Sequence, residues 1–516
     1  MRTFRTSSMN GAPPSITQSA DRSIGKAITP KMTCDGRSIW SSTAMIRAPV
    51  MAHHETRPTM NADDRPNPIH AQSPDPHTNA TTPATMDAPA NESSQRARPL
   101  WRIPAYRCWF AADTADVVAV SLRTFAIPLI GLALSGSPFI AGLLVTIESA
   151  VGLTLMSVGG ALADRHDRRR LMILLGLTGA GLSVAVTAGL ATGTMRTTTF
   201  AVTVILFAVM NGLLGPSNDA MLKSLVPMDR FAKAQAIREA RESCVELSGG
   251  AIGGLLYRIA GWMLFLASAL LYLTSVFASL ALPKRNDDGA DGADGAVVVS
   301  SPDVAKPSFL SQFVDGWRWT LTRRTVVAAI AQGAVMNVAC YGSIIGVQIM
   351  LAERGTDAAL IGLVGTATGV AALIGSFAAG WLVEHVPTGR LIILTFAVFT
   401  FAMLPLVFTD SYVAAVTCMT MASVLFPALN AGELGFIFGR TPDDMQGRVS
   451  TVFETTVGVP GALAPALVGW LLQTPGFGFH AVMLLVVLCA SAGLLLACLT
   501  PTRRIPLPPQ WEQVEL

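Results

Sequence analysis

The chain has 516 residues, of which 51% are hydrophobic and only 14% charged, with a mean hydropathy of +0.48. That is too apolar for a water-soluble core and fits helices that face lipid. The net charge of +3 is too small to imply a nucleic-acid partner, and the seven cysteines form no CxxC pair, so neither a metal site nor a disulfide framework is indicated.

Residues 1–100 are rich in Pro, Ser, Thr, Asn and Asp and carry no helical apolar period, so they cannot bury enough surface to offset their ordering entropy. We expect a disordered cytoplasmic tail. It is not a signal peptide, because Arg2 and Arg5 are followed by polar residues where an apolar run should stand. Alternatively, translation begins at an internal methionine such as Met86, and the tail is absent from the mature protein.

From Tyr106 onward the chain divides into apolar runs long enough to cross a bilayer, which takes roughly 20 residues. Twelve spans are predicted: 108–132, 139–163, 170–191, 199–222, 234–256, 260–282, 325–350, 358–383, 389–409, 412–437, 447–472 and 478–500. They make an all-α membrane protein with one six-helix half over 101–283 and another over 323–500. The stretch 284–322 is predicted as a cytoplasmic linker, with an acidic Gly-rich run over 287–296 that lacks the ligand spacing of a calcium loop. Its end, where Phe309, Leu310, Phe313, Val314, Trp317 and Leu321 recur at helical spacing beside Arg318, Arg323 and Arg324, reads as an interfacial helix. Residues 501–516 are expected to form a cytoplasmic tail. Within the spans, Pro128, Pro405, Pro427, Pro460 and Pro465 mark kinks.

Basic residues set the orientation. Arg165, Arg168, Arg169, Arg170, Lys223, Arg230, Lys233, Lys284, Arg285, Arg323, Arg324, Arg390, Arg440, Arg448, Arg503 and Arg504 fall on one side, against Arg196, Arg258 and Arg354 on the other. By the positive-inside rule both termini and the linker are cytoplasmic, in a multi-pass protein of the cell membrane.

The densest charge cluster, Gly160-Ala161-Leu162-Ala163-Asp164-Arg165-His166-Asp167-Arg168-Arg169, cannot enter hydrocarbon and must be a hairpin loop after the second span. It resembles the loop signature of the major facilitator superfamily, Gly-x-x-x-Asp-Arg-x-Gly-Arg-Arg/Lys, with Asp167 where that family has its second Gly. A degenerate copy follows the eighth span, as Gly380 and Glu384 and then Gly389 and Arg390, which fits repeated halves. The resemblance covers the chain from Tyr106 to Thr500 and implies the major facilitator fold. Pro216 to Leu222, Leu225-Val226-Pro227 and Met445 to Val449 look like the branch of macrolide-efflux and siderophore-export transporters. Asn218 stands where relatives often carry Arg, leaving Lys223 or Arg448 as the expected partner of Asp164. Gly249 to Gly254 resembles a glycine-rich antiporter motif, with Gly250 where Pro is usual.

Residue chemistry gives the loop a gating role. Gly160 would let a neighbouring helix approach closely, Asp164 would cap a helix or pair with a cation, and Arg165, Arg168 and Arg169 would pair with carboxylates or helix C-termini. Such contacts would latch the cytoplasmic side in one state and break in the other. Alternatively the arginines fix topology and bind anionic headgroups.

Ionisable residues inside spans are costly, so they mark a pathway or a pair. Asp116 and Arg123 share a face of the first span, with Asp113 nearer the cytoplasm; Glu148 lies at similar depth in the second; Glu242 and Glu246 share a face of the fifth, with Arg238 a turn back. Asp116, Arg123, Glu148, Glu242, Glu246 and Asn337 are the candidates for a proton and substrate cavity; we expect Arg123, Glu148 and Glu246 to line it, with one carboxylate carrying a coupling proton, or else Arg123 and a glutamate to form a structural pair. Asn337 in the seventh span, with Gln332, Tyr341 and Gln348, offers hydrogen bonds to a solute or to neighbouring helices. Asp219, Glu433 and Glu454 read as structural.

No nucleophile–base cluster, phosphate loop or metal spacing is present, so an enzyme or an ATP-driven pump is not expected, nor any cofactor. The expectation is a monomeric secondary transporter whose partners are a small-molecule substrate, protons and the lipid bilayer. Proton-coupled export of drug- or siderophore-like amphiphiles is favoured over import of a small nutrient.

Overall fold

A computed structural model of the chain describes residues 100–283, 309–442 and 445–514; the expected N-terminal tail and most of the linker lie outside them. The described residues are helical and include no strand. Six long helices come first: α1 (Pro104–Ser135), α2 (Pro138–Arg165), α3 (Arg168–Ala191), α4 (Thr197–Leu225), α5 (Met228–Ile259) and α6 (Gly261–Leu280). The short α7 (Phe309–Leu321) precedes six more: α8 (Arg324–Glu353), α9 (Ala358–His385), α10 (Thr388–Val407), α11 (Tyr412–Gly439), α12 (Gln446–Gln473) and α13 (Phe479–Leu499). Eleven of the long helices are apolar enough to cross a bilayer by composition alone. The twelfth, α5, is long enough but carries Arg238, Glu239, Arg241, Glu242 and Glu246, which dilute its hydropathy. Its charges are tolerable only because most are neutralised inside the bundle, as described below.

The helix ends follow local chemistry. Pro138 occupies the first turn of α2, where its missing N–H costs nothing, and the Ser137 hydroxyl accepts from Ile140 N. Gly136 closes α1 with a φ of +63°, a conformation that glycine alone adopts without strain. Asp167 caps α3 by accepting from Arg169 N at 2.9 Å, and Asp357 caps α9 in the same way. Breaks inside spans fall beside prolines. α4 is interrupted at Gly215, immediately before Pro216, α10 tightens into a 3-10 turn at Leu404–Val407 around Pro405, and α11 is broken before Pro427. Pro128, Pro460 and Pro465 lie inside continuous helices.

Packing within each half relies on small residues facing large ones. Gly176 and Gly179 of α3 receive Val276 and Tyr272 of α6, while Gly493 of α13 receives the Phe396 ring of α10. A Cβ at any of these positions would meet the partner at sub-van der Waals distance, so glycine sets the helix spacing.

The loop 165–168 marks what we call the basic end of the bundle. At the opposite, far end, α2 packs on α12 and α5 on α9, two pairs that exchange when the halves exchange. Gly142 lies against the Pro465 carbonyl, Gly469 against that of Pro138, Gly250 against Gly362, and Gly254 against Ala358. Polar contacts reinforce these crossings. Ala466 N donates to Thr146 Oγ1 at 3.0 Å, Gln348 Nε2 to the Phe125 carbonyl at 3.1 Å, and the Ser137 hydroxyl to Gln473 at 2.6 Å. Arg258 pairs with Asp357 at 3.1 Å. All of these lie in the far half of the spans, so the cleft between the halves opens toward the basic end.

Residues 501–514 form a strap rather than a free tail. Gly389 N and Thr388 N donate to the carbonyls of Ile505 and Pro506, and Trp511 Nε1 donates to Thr388 Oγ1 while its ring packs on Phe436. Thr502 is fully buried and accepts from Gln332 Nε2 at 2.9 Å, which fixes one of the span-seven amides in a structural role.

Candidate transport pathway

Arg123 of α1 is 1% exposed, so it does not line a cavity as its depth suggested. Its Nη2 lies 3.1 Å from Glu148 Oε1 of α2, its Nη1 donates to the Tyr272 hydroxyl of α6 at 3.0 Å, and its guanidinium stacks 4.5 Å from the centre of the Phe207 ring of α4. The side chain thus ties four helices together. A buried cation held by a carboxylate, a phenol and an aromatic face is internally compensated, which corresponds to the structural alternative for this pair.

A second cluster lies nearer the basic end. Arg241 Nη1 donates to Asp113 Oδ2 at 2.6 Å and Nη2 to Glu242 Oε1 at 3.0 Å. Arg238 also donates to Glu242, at 2.8 Å, and pairs with Asp219. Three carboxylates are thereby shared between two guanidinium groups. Glu242 therefore belongs to an ion-pair network instead of standing free in a cavity. Asp116, also expected in the cavity, is buried and accepts from Asn218 Nδ2 at 3.1 Å, while Trp109 Nε1 holds the Asn218 backbone carbonyl at 2.9 Å. The break in α4 at Gly215 brings Asn218 within reach of α1.

Glu246 differs from all of these. On α5, Gly249 and Gly253 meet Ser121 and Phe125 of α1, whereas Gly250 and Gly254 meet α9. The wedge between those two faces looks onto the axis between the halves, and Glu246, one turn toward the basic end, points into it. Glu246 is exposed and has no ion pair or hydrogen bond among the described residues. Tyr341 of α8, across the cleft, lies within its electrostatic reach, is 44% exposed, and rests over Gly461 of α12. Asn337 sits a turn below Tyr341 against the same glycine, its amide donating to the Gly333 carbonyl at 3.1 Å. Glu454 lies on the stripe of α12 that continues through Gly458, which faces Leu153 of α2, to Gly461; it accepts from Ser450 at 2.9 Å and pairs with no cation. In the second half, Glu433 is buried in α11 with Oε1 unpartnered among the described residues.

The loop motif is rearranged relative to expectation. Gly159, not Gly160, makes the close approach: a Cβ there would overlap the Gly212 carbonyl of α4, while Gly160 has nothing within reach. Asp167, not Asp164, caps α3. Neither Lys223 nor Arg448 pairs with Asp164, which has no partner among the described residues; Arg448 instead faces Asp315 of α7 at 3.7 Å. Arg165 is exposed. Arg168 Nη1 donates to the Ala220 carbonyl at 2.9 Å, and Arg169 donates to the carbonyls of Ser279 and Leu280 at 3.2 and 2.7 Å, satisfying the C-terminus of α6. In the second copy, Gly380 has open space around it, Glu384 and Arg390 are exposed, and Gly389 is buried under the C-terminal strap.

At the far end a cavity of about 600 Å³ lies between α1, α5, α8 and α9, lined by Leu129, Tyr257, Arg258, Glu353 and Asp357 among others. It is separated from Glu246 by the crossing of α5 over α9.

A twelve-helix bundle in two halves, with an open central cleft and a charged hairpin after the second helix, defines a membrane transporter. The Major Facilitator Superfamily model matches residues 115–339 and 327–515, and the chain belongs to that family. It is 24% identical over 407 residues to the Enterobactin exporter EntS of Shigella dysenteriae serotype 1 (strain Sd197), covering 75% of this chain and 91% of that protein. The same identity and coverage hold for the Enterobactin exporter EntS of Escherichia coli O1:K1 / APEC. Among solved structures, a bacterial homologue of the iron transporter ferroportin in the inward-facing state superposes with a TM-score of 0.59 at 15% identity, over 78% of this chain and 99% of that one. A bacterial homologue of the human lysosomal transporter Spinster, inward-facing and unoccupied, gives 0.57 at 15% identity, over 77% and 98%.

Proposed function

We propose that the protein exports amphiphilic small molecules in exchange for protons by alternating access, with both termini in the cytoplasm. The single observation that carries this is Glu246: other deep carboxylates of the first half are tied to Arg123, Arg238, Arg241 or Asn218, while Glu246 faces the cleft alone. A solvated carboxylate at the apex of a cleft is free to take a proton from one side and release it on the other. Positive-inside orientation places the open basic end in the cytoplasm, so the conformation is inward-facing. Resemblance to siderophore exporters supports outward transport. The cleft is formed by the two halves of one chain, so a monomer suffices, and the gradient replaces any cofactor.

In this conformation Asp164 has no partner among the described residues, as a latch has none when its side of the molecule is open. On closure it would meet the start of α12, whose helix N-terminus favours an anion.

The reading is tested in cells by accumulation of a panel of amphiphilic dyes and catechol siderophores, with and without a protonophore. Wild type lowers accumulation of at least one compound and loses that effect when the gradient collapses; Glu246→Gln is present in the membrane but inactive. Gradient-independent accumulation, uptake instead of extrusion, or full activity of Glu246→Gln would contradict it.

A further inference from the structure

The central cleft carries an unbalanced charge. Arg123, Arg238 and Arg241, the arginines set deepest in the first half, are each engaged by carboxylates on their own side of the molecule. The second half places no Lys or Arg in the middle of its spans. Against this, Glu246 of α5 and Glu454 of α12 project toward the cleft from opposite halves, neither with a cationic partner among the described residues. Across from Glu246, within its electrostatic reach, stands Tyr341, with nearly half its surface open and its ring held over Gly461, where a larger residue would collide with it. A carboxylate beside an open aromatic face is the pairing that recognises an organic cation, through ion pairing on one side and the ring quadrupole on the other. An anion in the same place would meet two carboxylates and no compensating donor of charge.

We propose that the solute class of this cleft is the organic cation, seated with its positive group between Glu246 and Tyr341 and its apolar body against the cleft walls. This rests on the assignment of Glu246 as the exchanging carboxylate, and it separates this chain from carriers of catecholate anions. One carboxylate then serves both ligands: a monovalent cation arriving at Glu246 displaces the proton bound there, and the returning proton displaces the cation. Charge balances at each exchange, with one positive charge entering as one leaves.

The experiment uses two ions of the same shape and opposite charge, tetraphenylphosphonium and tetraphenylborate. Their equilibrium binding to the purified full chain in detergent is measured, with binding to protein-free micelles subtracted. Expected are saturable binding of the phosphonium, no competition by the borate, and an affinity that falls as the solution is acidified from pH 8 to the pH at which the Glu246 carboxylate is protonated. In weakly buffered solution, phosphonium binding to the protonated protein releases one proton per ion bound. Glu246→Gln lowers phosphonium affinity at least tenfold and abolishes both the pH dependence and the proton release, whereas Tyr341→Leu lowers affinity several-fold and leaves the proton release intact. Equal or tighter binding of the borate, no binding of either ion, or a pH-independent phosphonium affinity in the wild type would each overturn the proposal, and these readouts stand even if a variant does not fold. The measurement needs no membrane gradient, so selective cation binding without gradient-driven export would refute the direction or coupling of transport alone.

Discussion

Arg241 shows how much of the first half's architecture depends on compensated charge. Its guanidinium is buried beside Asp113, itself 2% exposed, and removing it would leave that carboxylate in a low-dielectric site with only the longer pair to Arg238 at 3.9 Å. Breaking a buried pair from one side costs about 3–5 kcal/mol, more than an exposed pair of the same length contributes. Arg241→Leu is therefore expected to lower the thermal midpoint sharply and reduce the monodisperse yield, and adding Asp113→Asn is expected to recover much of the loss. A double variant no better than the single one would contradict this. Sequence alone pointed to Arg123, Glu148 and Glu246, because depth in an apolar span is visible in the residue order. It did not separate the tied carboxylates from the free one, since that depends on which helices flank each face. Arg241 and Tyr272 escaped notice for the same reason: their partners lie on other helices, and Asp113 is 128 positions from Arg241 in the chain. The loop glycines show the limit most sharply. Gly159 and Gly160 are neighbours in sequence but about 100° apart around the helix, and only the position of α4 decides which one is crossed.

The helix pairs α2·α12 and α5·α9 close the far end through backbone contact. Glycine at the crossings lets carbonyls and Cα atoms touch, so van der Waals packing is gained over long stretches in a medium that offers no hydrophobic drive for association. Such a seam is tight when closed but separates without breaking many strong bonds, as a moving interface requires. Gly362→Val would place a branched side chain onto the Gly250 backbone. The expected result is a folded protein whose far end cannot shut, read as faster labelling of a cysteine introduced at Thr356 by an impermeant maleimide. Unchanged labelling with retained transport would show that the seam yields elsewhere. Eleven of the spans were legible from hydropathy; the twelfth, α5, is diluted by its charges and was legible only from the loops that flank it. The C-terminal strap was not, since short 3-10 turns carry no period and their anchors, Thr388 and Gly389 of the second loop copy, are distant in sequence.

At the scale of the molecule, the two loop copies and the exchange of helix pairs between halves describe two similar bodies around one cleft. The basic hairpin at one end and the glycine seam at the other are then complementary closures, only one of which is engaged in this conformation. Family, fold and repeat were all readable from the chain; the state of the cleft was not, because a sequence encodes every conformation of the cycle at once.

The most direct test of this account is a pair of spin-label distance measurements in a cysteine-free background reconstituted in lipid. One pair, at Ala161 and Thr451, spans the cleft at the basic end, and the other, at Thr194 and Pro475, spans the far end. Across a pH titration the two distances are expected to change in opposite directions, the basic-end distance shortening in the same population in which the far-end distance lengthens. Two distances that stay fixed, or that lengthen and shorten together, would contradict it.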